Sequence, residues 1–195
     1  MFPQTIIAFG HRKQVGKDSA AKFLCSYIRM NQNNSNCQIK GFADKVKDIA
    51  YQIYSWAGLM PGEYYESDET QKFKDIVLPA IGKTPRDLWI AVGNGIRAMD
   101  LDWTWAEYLF RNCNCSQLII KDLRFPTECE YIKKYGGLVI KIERPGQLKV
   151  TDGADDPLEG YTGWSQIIRN DGTLKDFNRK ITELAQEILR QSTAV

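Results

Sequence analysis

One short stretch constrains this chain more than any other: Gly10-His11-Arg12-Lys13-Gln14-Val15-Gly16-Lys17-Asp18-Ser19. It follows an apolar, β-prone run, Thr5 to Phe9, and opens a helical pattern, Lys17 to Met30. A strand, a glycine-containing turn and a helix start bring successive backbone N–H groups and a positive helix end around one point. That arrangement binds phosphate. Gly16 lets the backbone approach closely, Lys17 reaches the β- and γ-oxygens, and Arg12 and Lys13 add positive charge at the rim. The stretch departs from G-x-x-x-x-G-K-[ST] in two places. His11 stands at the first glycine position, with Gly10 one residue early; Asp18 stands at the hydroxyl position, with Ser19 after it. The hydroxyl normally touches Mg²⁺, so Asp18, directly or through water, or Ser19 takes that part here. The whole stretch, Gln14 and Val15 included, is the candidate loop for ATP. His11, the only histidine, is read as a turn residue in place of glycine, because phosphoryl transfer relies on positioning and charge rather than on a histidine base.

The rest of the chain alternates short apolar runs with helical patterns. Gln38 to Phe42, Leu118 to Lys121, Leu138 to Ile142 and Gln166 to Ile168 read as strands, and Asp44 to Ala57 as a helix. This predicts a three-layer α/β/α fold of the P-loop kinase type with a mostly parallel central sheet. The 195 residues suit a single domain. Its core is expected over about 1–60 and 113–195, with a helical acceptor-binding insertion over about 61–112. A lid is expected over about 145–163, a Gly-, Asp- and Pro-rich loop of functional length. Leu174, Phe177, Ile181, Leu184 and Ile188 form one apolar stripe on a final helix, capped by Thr173 or Asp171.

A second constellation follows the apolar run Leu118 to Lys121. Asp122 stands at the carboxyl end of that strand, where ligands bind in doubly wound sheets, and can hold Mg²⁺ through water or orient an acceptor. Arg124 can clamp phosphate, and Arg144, at the start of the long loop, can stabilise a migrating phosphoryl group. Arg86 and Arg97 are eleven residues apart, about three helical turns, so a helix puts both on nearly one face, suited to an acceptor phosphate. Trp103 and Trp105 are read first as packing residues, with base stacking as the functional alternative.

The formal net charge of +2 permits anionic small molecules but does not mark a nucleic-acid-coating surface, and the acidic stretch Asp152 to Glu159 disfavours an open basic groove. The five cysteines, Cys25, Cys37, Cys113, Cys115 and Cys129, are odd in number and lack zinc-like spacing, so all are expected as thiols in a reducing compartment. With neither a signal-peptide pattern nor an apolar run of membrane-spanning length, a cytoplasmic, membrane-free protein is expected.

In order along nearly the whole chain, further motifs resemble the deoxynucleoside monophosphate kinases of bacteriophages. They are Gly16-Lys17-Asp18-Ser19; Phe42-Ala43-Asp44-Lys45-Val46-Lys47; Thr84-Pro85-Arg86 with Gly93, Arg97 and Asp102-Trp103; Asp122-Leu123-Arg124 with Glu128; Gly136-Gly137; Arg144-Pro145-Gly146; and Asn170-Asp171-Gly172-Thr173-Leu174. The lid differs: where such kinases often carry H-x-S-E, this chain has Asp156-Pro157-Leu158-Glu159, and only Glu159 matches. The resemblance implies a nucleoside-monophosphate-kinase-like fold, ATP and Mg²⁺ as cosubstrates, and a small nucleotide acceptor. It adds Asp44 as a catalytic and substrate residue and Lys47, Trp103 and Glu159 as substrate residues. Asn170 and Gly172 become donor-side residues. A related kinase acting on a hydroxyl elsewhere, such as a modified base in DNA or a phosphorylated metabolite like phosphomevalonate, is the alternative. A non-catalytic nucleotide-binding module fits less well, because it needs no second phosphate site. The sequence leaves open whether the protein forms a homodimer.

Overall fold

The computed structural model describes residues 3–32, 35–99, 101–146 and 157–192. Two compact units emerge, one of residues 1–40 and 108–195, the other of residues 41–107.

The first unit is built on a five-stranded sheet in the order β2-β3-β1-β4-β5, with every pairing parallel. The strands are β1 (Thr5–Gly10), β2 (Cys37–Lys40), β3 (Gln117–Leu123), β4 (Leu138–Glu143) and β5 (Gln166–Arg169). Parallel strands need covered crossovers, which α1 (Lys17–Asn31) and α5 (Pro126–Lys134) supply, and the closing α6 (Leu174–Ser192) adds further cover. Alternation along the strands sorts their side chains between two faces. Ile7, Phe9, Ile119, Ile140 and Ile142 share one buried cluster with Leu24 and Ile28 of α1 and Phe177, Ile181, Leu184 and Ile188 of α6. Residues of opposite parity, Ile6, Ala8, Leu118, Ile120 and Val139, are also buried, so both faces of the sheet are covered. The three-layer architecture expected from the sequence is therefore present.

Strand order locates the crevice of this sheet. The chain leaves central β1 toward the β2–β3 side, and later strands build the β4–β5 side. The carboxyl end of β1 is thus a switch point, where parallel sheets leave room for a ligand. Register places Gly10 beside Leu123 and Lys141, and Glu143 beside Arg169, so these strand ends share one edge.

In the second unit, α2 (Phe42–Tyr54) and α3 (Pro85–Arg97) pack together, joined by short 3-10 turns at Gly62–Glu66 and Gln71–Asp75. Ala50, Leu59, Tyr65 and Leu88 form its small core. Within the insertion expected over about 61–112, the α-helices are α3 and α4 (Thr104–Asn112). The Pro and Gly residues at 61–62 and 79–82 break the remainder into turns.

Two further expectations are corrected. Cys113 and Cys115 are not thiols but a disulfide, with Cα atoms 5.4 Å apart. They follow the end of α4 two residues apart, with Cα atoms within bridging distance. Cys25, Cys37 and Cys129 are free and buried, and burial pushes the Cys129 thiol up to about 12. Leu174 is 67% exposed and lies outside the apolar stripe of α6, which begins at Phe177. Leu174 occupies the first helical position, before the helix settles on the core. Thr173 is the cap: its hydroxyl accepts from Asp176 N at 3.2 Å, while the Asp176 carboxylate accepts from Thr173 N at 3.0 Å. Asp171 instead takes Lys180 Nζ at 2.7 Å.

Candidate functional site

The loop between β1 and α1 has a backbone that ordinary residues resist. His11, Gln14 and Gly16 have φ of 89°, 59° and 105°. A left-handed His11 accounts for half of the motif's departure, since the position normally held by glycine keeps its glycine-like conformation with another residue in it. Gly10, the early glycine, serves a different need. A Cβ there would lie 2.8 Å from the Trp164 indole and 3.1 Å from Leu123, so only glycine lets Trp164 lie against the end of β1. Trp164 in turn meets the His11 ring edge-on at 6.4 Å and Tyr161 at 5.3 Å.

Because the strained backbone at His11 costs about 1–2 kcal/mol in an L-residue, His11→Gly should leave stability close to unchanged, strain relief offsetting lost side-chain packing. Turnover should stay within about threefold, whereas an acid–base histidine would contribute a hundredfold or more. Steady-state rates of the variant decide between the two roles.

Lys17 is the first residue of α1. Its ammonium donates to His11 O at 2.9 Å and also to Arg12 O, folding the side chain back across the loop. Asp18 and Ser19 follow in the first helical turn, and both are exposed, as are Lys13 and Gln14. Behind the loop, Asn170 Nδ2 donates to Val15 O at 2.9 Å. Gly172 is exposed in the turn before α6.

A cavity of about 450 Å³ opens beside this loop. His11, Arg12 and Val15 form one wall and the end of β4 with Lys141, Glu143 and Arg144 a second, with Glu159 and Arg169 also lining it. Four cationic side chains face two carboxylates there. Glu143 lies 2.7 Å from Lys141 and 3.7 Å from Arg169; the Lys141 hydrogen bond, ahead of these charges, holds its carboxyl below the usual range. Glu159 receives Arg12 Nη2 at 2.8 Å and lies 4.0 Å from His11 Nε2. The cavity is thus a predominantly cation-lined hollow at the sheet's switch point.

It collects His11, Arg12, Val15, Arg144 and Glu159 from the residues singled out in the sequence, and adds Lys141, Glu143 and Arg169. The signal for these three was their place at the carboxyl ends of parallel strands, which becomes readable only once the register is known. Asp122 is half-buried at the end of β3 and Arg124 is exposed just beyond it. Glu128, 1% exposed, accepts from the N–H groups of Arg124 and Phe125 at 3.0 and 3.1 Å, so it shapes the turn that carries Arg124. Of the expected lid, 147–156 lie outside the described residues. Beyond them Leu158 is buried, and Tyr161 donates to Glu130 at 2.5 Å, anchoring the return to β5.

In the second unit, Arg86 and Arg97 lie on α3. Arg86 grips Asp75 through two nitrogens, one at 3.1 Å. Asp44 is the third residue of α2 and accepts from Gly41 N at 2.8 Å, a cap on that helix. Lys47 pairs with Glu66 and lies 5.3 Å over the Trp89 ring. Trp105 is buried, its indole N–H donating to Gly93 O at 3.3 Å, as a packing residue should. Trp103 is 44% exposed, so the packing expectation fails for it.

No protein-family model matches the chain. Among curated proteins it is similar to the "Putative deoxynucleotide monophosphate kinase" of Acanthamoeba polyphaga mimivirus, 25% identical over 185 residues that span 87% of this chain and 90% of that protein. The similarity runs over most of both chains. The resemblance read from the ordered motifs is thereby found again over most of the sequence. Similar solved structures include a dephospho-CoA kinase from Campylobacter jejuni, 16% identical with a TM-score of 0.47, covering 97% of this chain and 99% of that one. A shikimate kinase from Bacteroides thetaiotaomicron is 11% identical with a TM-score of 0.45, covering 95% and 98%. No helix among the described residues is long and apolar enough to cross a membrane.

Proposed function

We propose that this protein is a phosphotransferase that converts a deoxynucleoside 5'-monophosphate to its diphosphate with ATP and Mg²⁺. The observation that carries the reading is the β1–α1 loop. Its backbone is left-handed at Gly16, its lysine lies at the first position of α1, and it borders a cation-lined cavity at the carboxyl edge of a parallel sheet. That combination receives a polyphosphate, and the name of the similar viral protein supports a deoxynucleotide as the acceptor.

The residues present fit both cosubstrates. Lys17, Arg12 and Arg144 supply positive charge for the donor's phosphates, and Asp122 stands on the same strand edge as the loop. Mg²⁺ draws most of its ligands from nucleotide phosphates and water, so one or two protein oxygens suffice. Asp18, Ser19 and Asp122 are those candidates. When bound, the ion neutralises charge on the transferring phosphoryl group. Acceptor recognition falls to the second unit, where Arg86 and Arg97 share one helix and Trp103 offers an exposed ring for a base. Arg86 would exchange Asp75 for the acceptor phosphate, and Lys47 and Asp44 complete the set. The expected lid, over about 145–163, would exclude water from the transfer, with Glu159 among its residues.

The test is a panel of nucleoside monophosphates with ATP and Mg²⁺, read as diphosphate formed. At least one deoxynucleoside monophosphate should be converted. Arg86→Ala should raise the acceptor KM by roughly tenfold to a hundredfold, the range for losing a charged hydrogen-bonding partner. If every monophosphate stays unconverted while DNA carrying a hydroxylated base takes up labelled phosphate, the polymer-directed alternative is correct.

A further inference from the structure

Asn170 lies in the turn between β5 and α6, and both ends of it are occupied. Its backbone N–H donates to Glu143 O at 2.7 Å, and its side-chain amide donates to Val15 O at 2.9 Å. The turn is held from behind by Lys180, whose ammonium donates to Arg169 O and to Asp171 Oδ1, each at 2.7 Å. Val15, the residue it grips, is 1% exposed and belongs to the same core as Phe177 of α6. A side chain fixed this way has committed its donor to the backbone of the β1–α1 loop.

The described backbone contains no cis peptide. In a trans peptide the carbonyl and the following N–H point in opposite directions. Drawing the Val15 carbonyl toward Asn170 therefore turns the Gly16 N–H away from it. Gly16 completes the arrangement: with φ at 105°, the place where its Cβ would be lies 2.8 Å from Asn170 Nδ2, an approach only glycine permits.

We propose that Asn170 is a positioning residue, whose amide orients the Val15–Gly16 peptide so that the Gly16 N–H is presented to the donor's phosphates. The proposal rests on the reading of the β1–α1 turn as a phosphate loop. It assigns Asn170 to the phosphates through the loop and not to the donor's base.

Inorganic triphosphate separates these roles, because it has phosphates and no base. Its binding and that of ATP, each with Mg²⁺, would be measured by calorimetry on the full chain for wild type, Asn170→Ala and Asn170→Ser. Serine keeps a turn-forming residue whose hydroxyl is too short to reach Val15 O, so it serves where alanine fails to fold. Both variants should lose affinity for triphosphate and ATP by the same factor, about tenfold for one hydrogen bond that orients a ligand contact. The acceptor KM should not move, and the Gly16 amide resonance should lose its shift on triphosphate binding. Loss of ATP affinity with unchanged triphosphate affinity would mean that Asn170 reads the base, and overturn the proposal. So would unchanged affinity for both. Failure of the wild type to bind triphosphate would instead overturn the phosphate-loop reading, and the proposal with it.

Discussion

Lys17→Ala should lose turnover by a few hundredfold or more while the protein stays folded. Lys17 stands where negative charge gathers as the phosphoryl group moves, and removing such a contact costs on the order of 3–4 kcal/mol. The structural cost is smaller. Its ammonium donates to two loop carbonyls, His11 O and Arg12 O, and a net hydrogen bond of this kind contributes about 1 kcal/mol. The side chain is also half-buried and not part of the core, so no cavity forms. In the working enzyme the ammonium would exchange those carbonyls for phosphate oxygens, a swap of neutral partners for charged ones that favours the ligand. Circular dichroism and a melting curve establish that the variant is folded; steady-state rates then decide. Near-normal turnover in a folded Lys17→Ala protein would remove the loop from the donor site.

The contrast between what the sequence showed and what it hid follows from locality. The β1–α1 loop was readable because strand, turn and helix start are contiguous, and their chemistry is local. The α6 stripe was readable for the same reason, except at Leu174, whose spacing fits but whose position precedes the contact with the core. Lys141, Glu143 and Arg169 were hidden because nothing in their own neighbourhoods marks them. They come to line the cavity through parallel register, which sets Lys141 beside Gly10 and Arg169 beside Glu143. Gly10 shows the same limit from another side. Its early place looked like a flaw in the motif, yet it answers to Trp164, far along the chain. The pairing of Cys113 with Cys115 was missed because counting cysteines treats them as partners for distant residues, whereas this pair closes within its own segment.

Asp44 illustrates how a motif can be legible without its function being so. The resemblance marks it as a substrate residue; the structure shows it capping the helix on which it lies. A cap also fixes the first turn of α2 and hence Lys47, one turn further on the same helix. Both roles can belong to one carboxylate, and only substrate kinetics on Asp44 variants separates them.

Gly16→Ala should damage stability and activity together, and that sets it apart from Lys17→Ala. At φ 105° an L-residue is strained by about 1–2 kcal/mol. The added methyl would also lie 2.8 Å from Asn170 Nδ2 and 3.4 Å from Phe177. Phe177 is 2% exposed in the core and cannot yield cheaply, so Asn170 must move. Its bond to Val15 O is then lost, a further cost of about 1 kcal/mol. The sum, roughly 2–3 kcal/mol, corresponds to a melting temperature lower by about 5–10 °C in a chain of this size. Turnover should fall about a hundredfold, because the peptide proposed to face the phosphates is displaced by a fraction of an ångström to an ångström. The shared contact also makes the two sites non-additive: Gly16→Ala combined with Asn170→Ala should cost less than the two single changes together, since the steric conflict disappears when the amide does. Melting curves of the three variants measure this directly. Strict additivity would show that Gly16 and Asn170 do not meet, and a Gly16→Ala protein with wild-type stability would show that the backbone there is not left-handed.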